Sequence, residues 1–565
     1  MKRFSRLYII GFLWTSLSLS AQENILTSRV LREPVQKVSE VNDANSVTTI
    51  EYYDTAGRLI QTIRKGFGPN GEDLADYIQF DEAGRIAKEY LSTPFTGNNG
   101  VFVPVSEFEQ STQTWSRTHL YEASTEGRIV ETSGMHVGGK SIKYDYRLSN
   151  SSEPELSALE FRMQNNTTIN KRMAARGAYQ VVEEIDEDGH RILLFTDSDG
   201  HTVLKRRVDG DVYHDTYMVY DAYDHLRCVL PPAAVDAYSS FDDQSLSAGN
   251  FLDLYAYFYI YDNDNQCVGV KYPGADWIYT VYDGDYRPIL SQDGNQRKRD
   301  EWSFIKYDGL GRVVIEGIVK DKRTRDDLAD IYEDVLVHEE YIGTEGPCRG
   351  YTDHIKMGQN RYILTCIRYY DNYAFTEFSS DWSFANMASS ASAKGLLTGV
   401  FEAVLNQPDK GRFTINQYDD KSRLIRRDSK ETLSNNTLSA DYSYNFSGAL
   451  IRSDSRYGNR YSLRLDYNYD HAGREKNSIC VLGYGTTHYT SPLRAFTYDS
   501  HGRISEKMMQ GNKVKMTYGY HNDGTLFNIG SMNGFNETLY FGNSMLPYQL
   551  SRCNNGNIAD ISISQ

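Results

Sequence analysis

The feature that most constrains this chain is a six-residue pattern that keeps returning. Tyr498-Asp499-Ser500-His501-Gly502-Arg503 recurs as Tyr53-Asp54-Thr55-Ala56-Gly57-Arg58, as Tyr307-Asp308-Gly309-Leu310-Gly311-Arg312 and as Tyr469-Asp470-His471-Ala472-Gly473-Arg474, with a conservative copy at Phe80-Asp81-Glu82-Ala83-Gly84-Arg85. Weaker copies run from Tyr282-Asp283 to Arg287, from Tyr418-Asp419 to Arg423 and from Tyr444-Asn445 to Gly448. Each part has a physical role. An aromatic, suited to a pleated and half-buried surface, ends one strand. Asp opens a turn whose backbone N–H groups its carboxylate can cap. Gly closes the turn at positive φ. Arg begins a return strand that alternates, as in Arg58-Leu59-Ile60-Gln61-Thr62-Ile63. The unit is a β-hairpin, and copies spaced about 20–30 residues apart define an all-β repeat array. The repeat Arg is expected to pair with the repeat Asp or to lie on a neighbouring Tyr ring, and the turn aromatics to pack rather than to bind ligands.

Composition fits that array. At 565 residues the chain holds either several domains or one long series of repeats. Its 44 Tyr, 44 Gly and 13 Pro suit a chain of hairpins with many tight turns. The net charge is −16, which argues against nucleic acid as a partner, because phosphate binding needs clustered Lys and Arg. Residues 1–21 read as a signal peptide: Lys2, Arg3 and Arg6 precede an apolar run from Leu7 to Leu19, and Ala21 places a small residue before a cleavage point at Gln22. The mature chain then carries 57 basic and 76 acidic residues, a net −19, is exported to the periplasm, cell surface or medium, and has no transmembrane segment. Six cysteines, Cys228, Cys267, Cys348, Cys366, Cys480 and Cys553, form no CxxC motif and read as unpaired buried thiols.

Along the chain, residues 22–45 read as a leading arm and 149–170 as a polar loop or lid. Ala233 to Leu254 reads as a small helical insertion, 323–340 as a helix with Leu328, Ile331, Tyr332 and Val335 on one face, and Ser379 to Ala393 as a loop. From Leu396 the hairpin pattern runs to the end.

No catalytic constellation emerges. Gly134-Met135-His136-Val137-Gly138-Gly139-Lys140-Ser141 matches a phosphate-binding loop letter for letter, but such a loop must open a helix. Ser141 to Leu148 alternates like a strand, so the stretch reads as a Gly-rich hairpin turn. Asp262-Asn263-Asp264-Asn265-Gln266 begins like a calcium loop, yet Cys267 and Pro273 stand where Gly and an acid are needed, so it reads as a variant of the repeat turn. Cys348, His354 and Cys366 offer three zinc ligands at a spacing of no standard site. His338-Glu339-Glu340 lacks the second His of a zinc protease motif. No cofactor, metal or catalytic residue is assigned, and the chain is read as a non-enzyme.

These residues resemble a known family. The Tyr-Asp-x-x-Gly-Arg repeats are similar to those of RHS, or YD-repeat, proteins. Ile50 to Asp54, Lys65-Gly66, Gly71 to Leu74 and Gly97 to Gly100 resemble the uncharacterised N-terminal domain of exported Bacteroidetes-type RHS proteins, as do Tyr220 to Pro232, Tyr272 to Ala275, Ser291 to Arg297 and Lys394 to Gly399. The resemblance covers nearly all of residues 25–565 and implies tandem hairpins in a long spiralled sheet, part of a hollow shell, with small helical insertions. It divides the chain into an RHS-associated N-terminal β domain (22–170), a repeat array (171–320), an insertion region with a helix and a loop (321–395) and a second array (396–565), incomplete at its C-terminus. Family members often continue into a core segment and a toxic C-terminal domain. The chain has no core-type Asp-Pro-x-Gly segment, so it looks truncated before both, and toxin activity is not carried over. The partners implied are an encapsulated effector or toxin domain with its immunity protein. The alternative is a surface module that binds glycans or another cell.

The last residues carry an expectation of their own. Asn555-Gly556 signals a hairpin turn, and Ile558, Ile561 and Ile563 begin an apolar strand without charged or proline gatekeepers. An unpaired edge there is expected to drive self-association. Sedimentation of the mature chain across a wide concentration range checks this, and a clean monomer with slow amide exchange over 556–565 would contradict it.

Overall fold

The structure, a computed structural model, describes residues 24–562 apart from 113, 135–140, 165–167, 240–244, 248–251, 355, 358–362, 378–392, 406, 510–513, 522–523, 532–535, 542–546 and 555–556. The expected signal peptide with its cleavage point between Ala21 and Gln22, the centre of the phosphate-loop-like stretch and most of the loop expected over Ser379–Ala393 lie outside the described residues.

Among the described residues, thirty-four strands form a single antiparallel sheet. Strand follows strand in chain order, from Asn24–Leu31 on Ser46–Tyr53 and Ser46–Tyr53 on Leu59–Arg64 to Pro547–Asn554 on Asn557–Ser562. The residues expected to be a leading arm are therefore in part the first strand, held over its whole length by eight register pairs. The sheet also runs unbroken past long detours. Ser141–Leu148 pairs with Gln180–Ile185, Leu226–Leu230 with Tyr257–Tyr261, and Val313–Lys320 with Ile363–Asp371.

The repeat shapes the strip. At every full copy of the hexad the ladder slips by one residue: Tyr52 faces Gln61 but Tyr53 faces Leu59, and Thr497 faces Glu506 but Tyr498 faces Ile504. The same bulge accompanies Phe80, Tyr307 and Tyr469. A bulge bends the strand that carries it and increases the local twist, so repetition coils the strip. The coil returns on itself. The loop Gly66 to Glu72 lies against turns some four hundred residues later. His471 Nε2 lies 2.8 Å from the Gly66 carbonyl and 3.1 Å from that of Gly68, so Nε2 carries the proton and donates to both. Arg32 Nη1 donates to the His471 carbonyl at 2.8 Å, across 439 residues. The Arg474 guanidinium lies between the Phe67 ring, 5.0 Å away, and the Tyr498 ring, 4.3 Å away.

The detours cover the sheet. Leu159–Met163 and Thr168–Met173 form a hairpin, and Ser245–Ser247 adds a third strand to it. This corrects the expected loop at 149–170 and the purely helical insertion at 233–254, which holds the helices Pro232–Ser239 and Leu252–Tyr255 with that strand between them. Leu156, Ala158 and Ile169 are buried there with Phe195, Tyr217 and Phe258 of the main sheet. The hairpin strands are five and six residues long and need a partner more than seventy residues away, which no local periodicity signals. The helix expected over 323–340 is only Arg325–Tyr332. Thr324 caps it, exchanging hydrogen bonds with Asp327. It stops because the following residues are taken by the sheet: Gly284 N–H donates to Val335 O at 3.0 Å and Glu339 N–H to Tyr307 O at 2.7 Å. Leu328, Tyr332 and Val337 complete the largest core with Trp302, Phe304 and Ile367. A smaller core gathers Tyr52, Ile63, Tyr90 and Phe108 near the N-terminus. Beyond residue 420, Ala440 is the one buried apolar residue among those whose burial is described.

Phe67→Ala removes the ring wedged against Arg474. It is expected to raise protease cleavage and amide exchange in both 64–73 and 468–503 while leaving 300–370 protected. Equal exchange in wild type and variant over both segments would contradict the seam.

Candidate functional site

The twenty sequence-predicted repeat residues fall on one construction. In the first full copy Asp54 N–H donates to Arg58 O at 2.9 Å and Gly57 N–H to Asp54 O at 3.0 Å, closing the turn. Asp54 Oδ1 accepts from the N–H groups of Ala56 and Arg58, both at 2.9 Å, and Oδ2 accepts from Arg58 Nε at 2.7 Å. Asp81 with Arg85, Asp308 with Arg312, Asp470 with Arg474 and Asp499 with Arg503 repeat the geometry. One carboxylate thus shapes the loop and holds the guanidinium.

The guanidinium then reaches the next repeat. Arg58 lies 4.3 Å from the Phe80 ring, Arg85 4.1 Å from Tyr121, Arg312 4.4 Å from Tyr370, Arg474 4.3 Å from Tyr498 and Arg503 4.7 Å from Tyr520. Tyr307 receives Arg287 at 4.7 Å. Pairing with Asp and stacking on a ring, weighed as alternatives from sequence, occur together. The tyrosine hydroxyl closes the link, donating to the carbonyl of the residue that follows the previous Arg: Tyr121 to Ile86 at 2.8 Å, Tyr307 to Pro288 at 2.8 Å and Tyr498 to Glu475 at 2.6 Å. Tyr469 makes the same bond to Leu450 although Ala449 replaces Arg. Tyr53 has no earlier repeat, and its hydroxyl donates to Glu51.

Sequence reasoning missed members of this row. His201 and His225 replace the Arg, each bonded to its turn Asp and stacked on the next ring, His201 on Tyr220 at 4.5 Å and His225 on Tyr261 at 4.4 Å. Asp followed four residues later by His, with Tyr further on, was the available signal. Glu122 takes the Asp role in a turn lengthened by two residues, gripping Arg128, which lies on Tyr146. Asp262 caps Asp264 and Gln266, so this stretch, unlike those, is the variant repeat turn expected from the sequence.

The electrostatics follow the contacts. The Arg58 backbone N–H, and then its guanidinium, hold Asp54 below the usual carboxylate range, and Asp81 is held down in the same way by Arg85. The Arg128 side chain draws Glu122 down to about 2. Burial raises the phenols of Tyr121, Tyr146, Tyr307, Tyr370, Tyr444, Tyr469, Tyr498 and Tyr520.

Among the described residues the one group spaced to hold a metal is Asp197, Asp199 and His201, which is a repeat turn. Cys348, His354 and Cys366 do not converge. Cys228, Cys267, Cys366 and Cys480 are free thiols, Cys348 is buried, and the side chain of Cys553 is outside the described set. No described helix is long and apolar enough to cross a membrane. One aromatic surface stands out on the uncovered part of the sheet. Leu438, Tyr457, Tyr461 and Tyr484 face one another across strands, as do Leu463, Leu482 and Tyr489. They line a groove of about 440 Å³, with Tyr489 66% and Tyr461 55% exposed.

The whole strip has solved counterparts. The crystal structure of TcdB2-TccC3-TEV aligns with 95% of this chain at a TM-score of 0.62 and 11% identity. The chain is RHS-like in fold. The crystal structure of TcdB2-TccC3-Cdc42 gives 0.62 over 94% at 12% identity, and the Photorhabdus luminescens Tc holotoxin pore 0.61 over 94% at 12%. The chain spans 23%, 23% and 22% of those chains, under a quarter of their length. Residues 27–147 match the family described as Domain of unknown function (DUF6443). Among curated proteins the chain has no match.

Two predictions follow from the row. Gly57 (φ +79°) has open space where a Cβ would stand, so Gly57→Ala is expected to lose only the conformational term of about 1–2 kcal/mol. At Gly502 a Cβ would come within 2.9 Å of the Phe67 ring and 3.0 Å of Arg474 Nη1, so Gly502→Ala should lose measurably more. Tyr286 and Ser422 occupy the same turn position at φ +58° and +62°, and Gly at either should gain about 0.5–1 kcal/mol. Denaturant unfolding of the four variants ranks them. The second prediction concerns pH. The depressed carboxyls bind protons less readily folded than unfolded, so their stabilisation is present above about pH 4 and is lost as pH falls towards 2. The raised phenols keep their protons longer when folded, so theirs is complete below about pH 10 and is lost above it. The denaturation midpoint is expected to be flat between about pH 5 and 8, above which the Cys228, Cys267 and Cys366 thiols, raised by burial, also begin to cost stability, and a steady fall from about pH 8 to 6 would contradict this.

Proposed function

We propose that the chain is an exported, non-enzymatic YD-repeat shell segment that encloses or displays a partner or a C-terminal effector. The observation that carries this reading is the seam: a strip of sequential hairpins curls until residues 66–72 meet the turns at 470–474 and 499–503. A coiled sheet that meets itself bounds a space, and the sheet beyond residue 420 keeps little apolar packing of its own. The likeness to the Tc structures supports the same role. One of these is named with Cdc42 after TccC3 and another is described as lacking a hypervariable C-terminal region. A downstream or separate effector, with an immunity protein, is the partner proposed here, and export rests on the N-terminal signal-peptide pattern. A partner or effector held by the chain is expected to resist protease with the wild-type chain and to be digested with Phe67→Ala. Equal digestion in both would reject enclosure.

The cross-strand aromatic groove favours a second reading, a carbohydrate- or cell-binding module, because exposed Tyr rings offer stacking faces. A glycan array probed with the mature chain should then give saturable binding that Tyr461→Ala and Tyr484→Ala abolish. Binding that is absent, or unchanged in both variants, rejects it.

A further inference from the structure

Lys306 is buried to zero exposure at the end of the strand Glu301–Tyr307, where the helical detour covers the sheet. Its Nζ lies 2.7 Å from Glu339 Oε1 and 2.6 Å from Asp353 Oδ1. Glu339 is itself fully buried, and Asp353 keeps 16% side-chain exposure. The detour holds Glu339 rigidly. Its N–H donates to Tyr307 O at 2.7 Å, and its Oε2 accepts from Thr352 Oγ1 at 2.6 Å and from the His354 N–H at 2.9 Å. The His354 ring Nδ1 stands 4.0 Å from the same oxygen. The surroundings are otherwise apolar, with Trp302, Phe304, Tyr307, Val337 and Tyr351 in the same core.

This is one amine against two carboxylates in a dry core, and the two carboxylates are held differently. Glu339 is fixed through both oxygens. Asp353 meets Lys306 through Oδ1, which sets Nζ a hydrogen bond away from an atom bonded to the carboxyl carbon. Ordinary ion pairing does not require an amine to be shared between a fully fixed acid and a second acid at the edge of the core, and a buried ion pair carries a heavy desolvation penalty. A positioned acid beside an amine and a carboxyl group is what condensation needs, and approach within a core supplies the proximity.

We infer that Lys306 and Asp353 condense to an intramolecular amide, with Glu339 carrying the protons. Glu339 takes a proton from the ammonium, and the freed Nζ lone pair attacks Asp353 Cγ. The Nζ–Cγ bond forms, the bond from Cγ to one oxygen breaks, and Glu339 returns the proton to that departing oxygen. The amide keeps one of the three ammonium hydrogens and the other two leave with the oxygen as water. No oxidant or other co-reactant takes part. Asp353, at the edge of the core, gives the water a way out. Afterwards Glu339 stays a carboxylate, with Thr352, the His354 N–H and the new amide N–H around it. The step happens once per molecule and is not turnover, so it does not depend on the shell or glycan reading. It would fasten the detour to the sheet across a 47-residue separation.

The test is mass spectrometry of the purified full chain under denaturing, reducing conditions. The expected mass is lower than that of the unlinked chain by one water, about 18 Da. Tryptic digestion is expected to yield a branched peptide joining residues 300–312 to 350–356, uncut after Lys306. Lys306→Arg keeps the cation without the reactive amine, and it should restore the unlinked mass and give no branched peptide. Glu339→Gln should do the same in a chain that still folds by circular dichroism. Recovery of Lys306 and Asp353 in separate linear peptides from wild type, or a water loss that maps elsewhere, overturns the inference. A branched peptide at the wild-type level in Glu339→Gln overturns the role of Glu339.

Discussion

The carboxylate of the repeat aspartate is the interaction on which the rest depends. It satisfies the turn's N–H groups with one oxygen and grips the arginine with the other, which leaves a guanidinium plane free to lie on the ring of the next hairpin. The ring's hydroxyl then ties back to the backbone beside that arginine. Each contact is modest, about 0–1 kcal/mol for a half-exposed ion pair and a similar amount for a cation over a ring. Their value lies in coupling neighbours. Up to about residue 415 three hydrophobic clusters also bind hairpins together. Further along, where Ala440 is the sole described buried apolar side chain, the relay and the backbone ladder carry the association of strands.

Much of this was legible in the residues. The hexad declares a turn, its glycine declares the left-handed backbone, and the alternation after Arg58 declares the return strand. The direction of the arginine was not legible, because its second partner lies in another repeat at a variable distance, 22 residues on for Arg58 and Phe80 but 58 for Arg312 and Tyr370. The replacements of Arg by His and of Asp by Glu hid for a different reason: each keeps the geometry while changing the letters, whereas Tyr286 and Ser422 in the Gly place left copies that were weak but visible. The small covering sheet hid because its strands are short and its third member comes much later. The helix at 325–332 was found with Leu328 and Tyr332 buried as expected, but Ile331 is exposed and Val335 lies beyond the helix, where its carbonyl accepts from Gly284 N–H.

The detours and the repeats divide the work. Repeats build a strip whose inner logic is one-dimensional, each hairpin answering to its neighbours. Detours add what a strip lacks, a second layer and a deep core, at Leu156–Ile169 and Leu328–Val337. The seam at Phe67, His471 and Gly502 adds the one property neither supplies, a fixed curvature, because it is met only when the coil has the right radius.

That seam has a consequence for how the chain is made. Every ladder in the main sheet joins a strand to the main-sheet strand before it, so the strip can zip up from its N-terminus as the polypeptide emerges, with loop closures that are short between hairpins and entropically mild even across the detours. The groups that meet at the seam stand on the order of four hundred residues apart, as do Gly66 and His471. Closure therefore belongs at the end of assembly, after the strip has acquired its coil, and until then the wall stands open at one line.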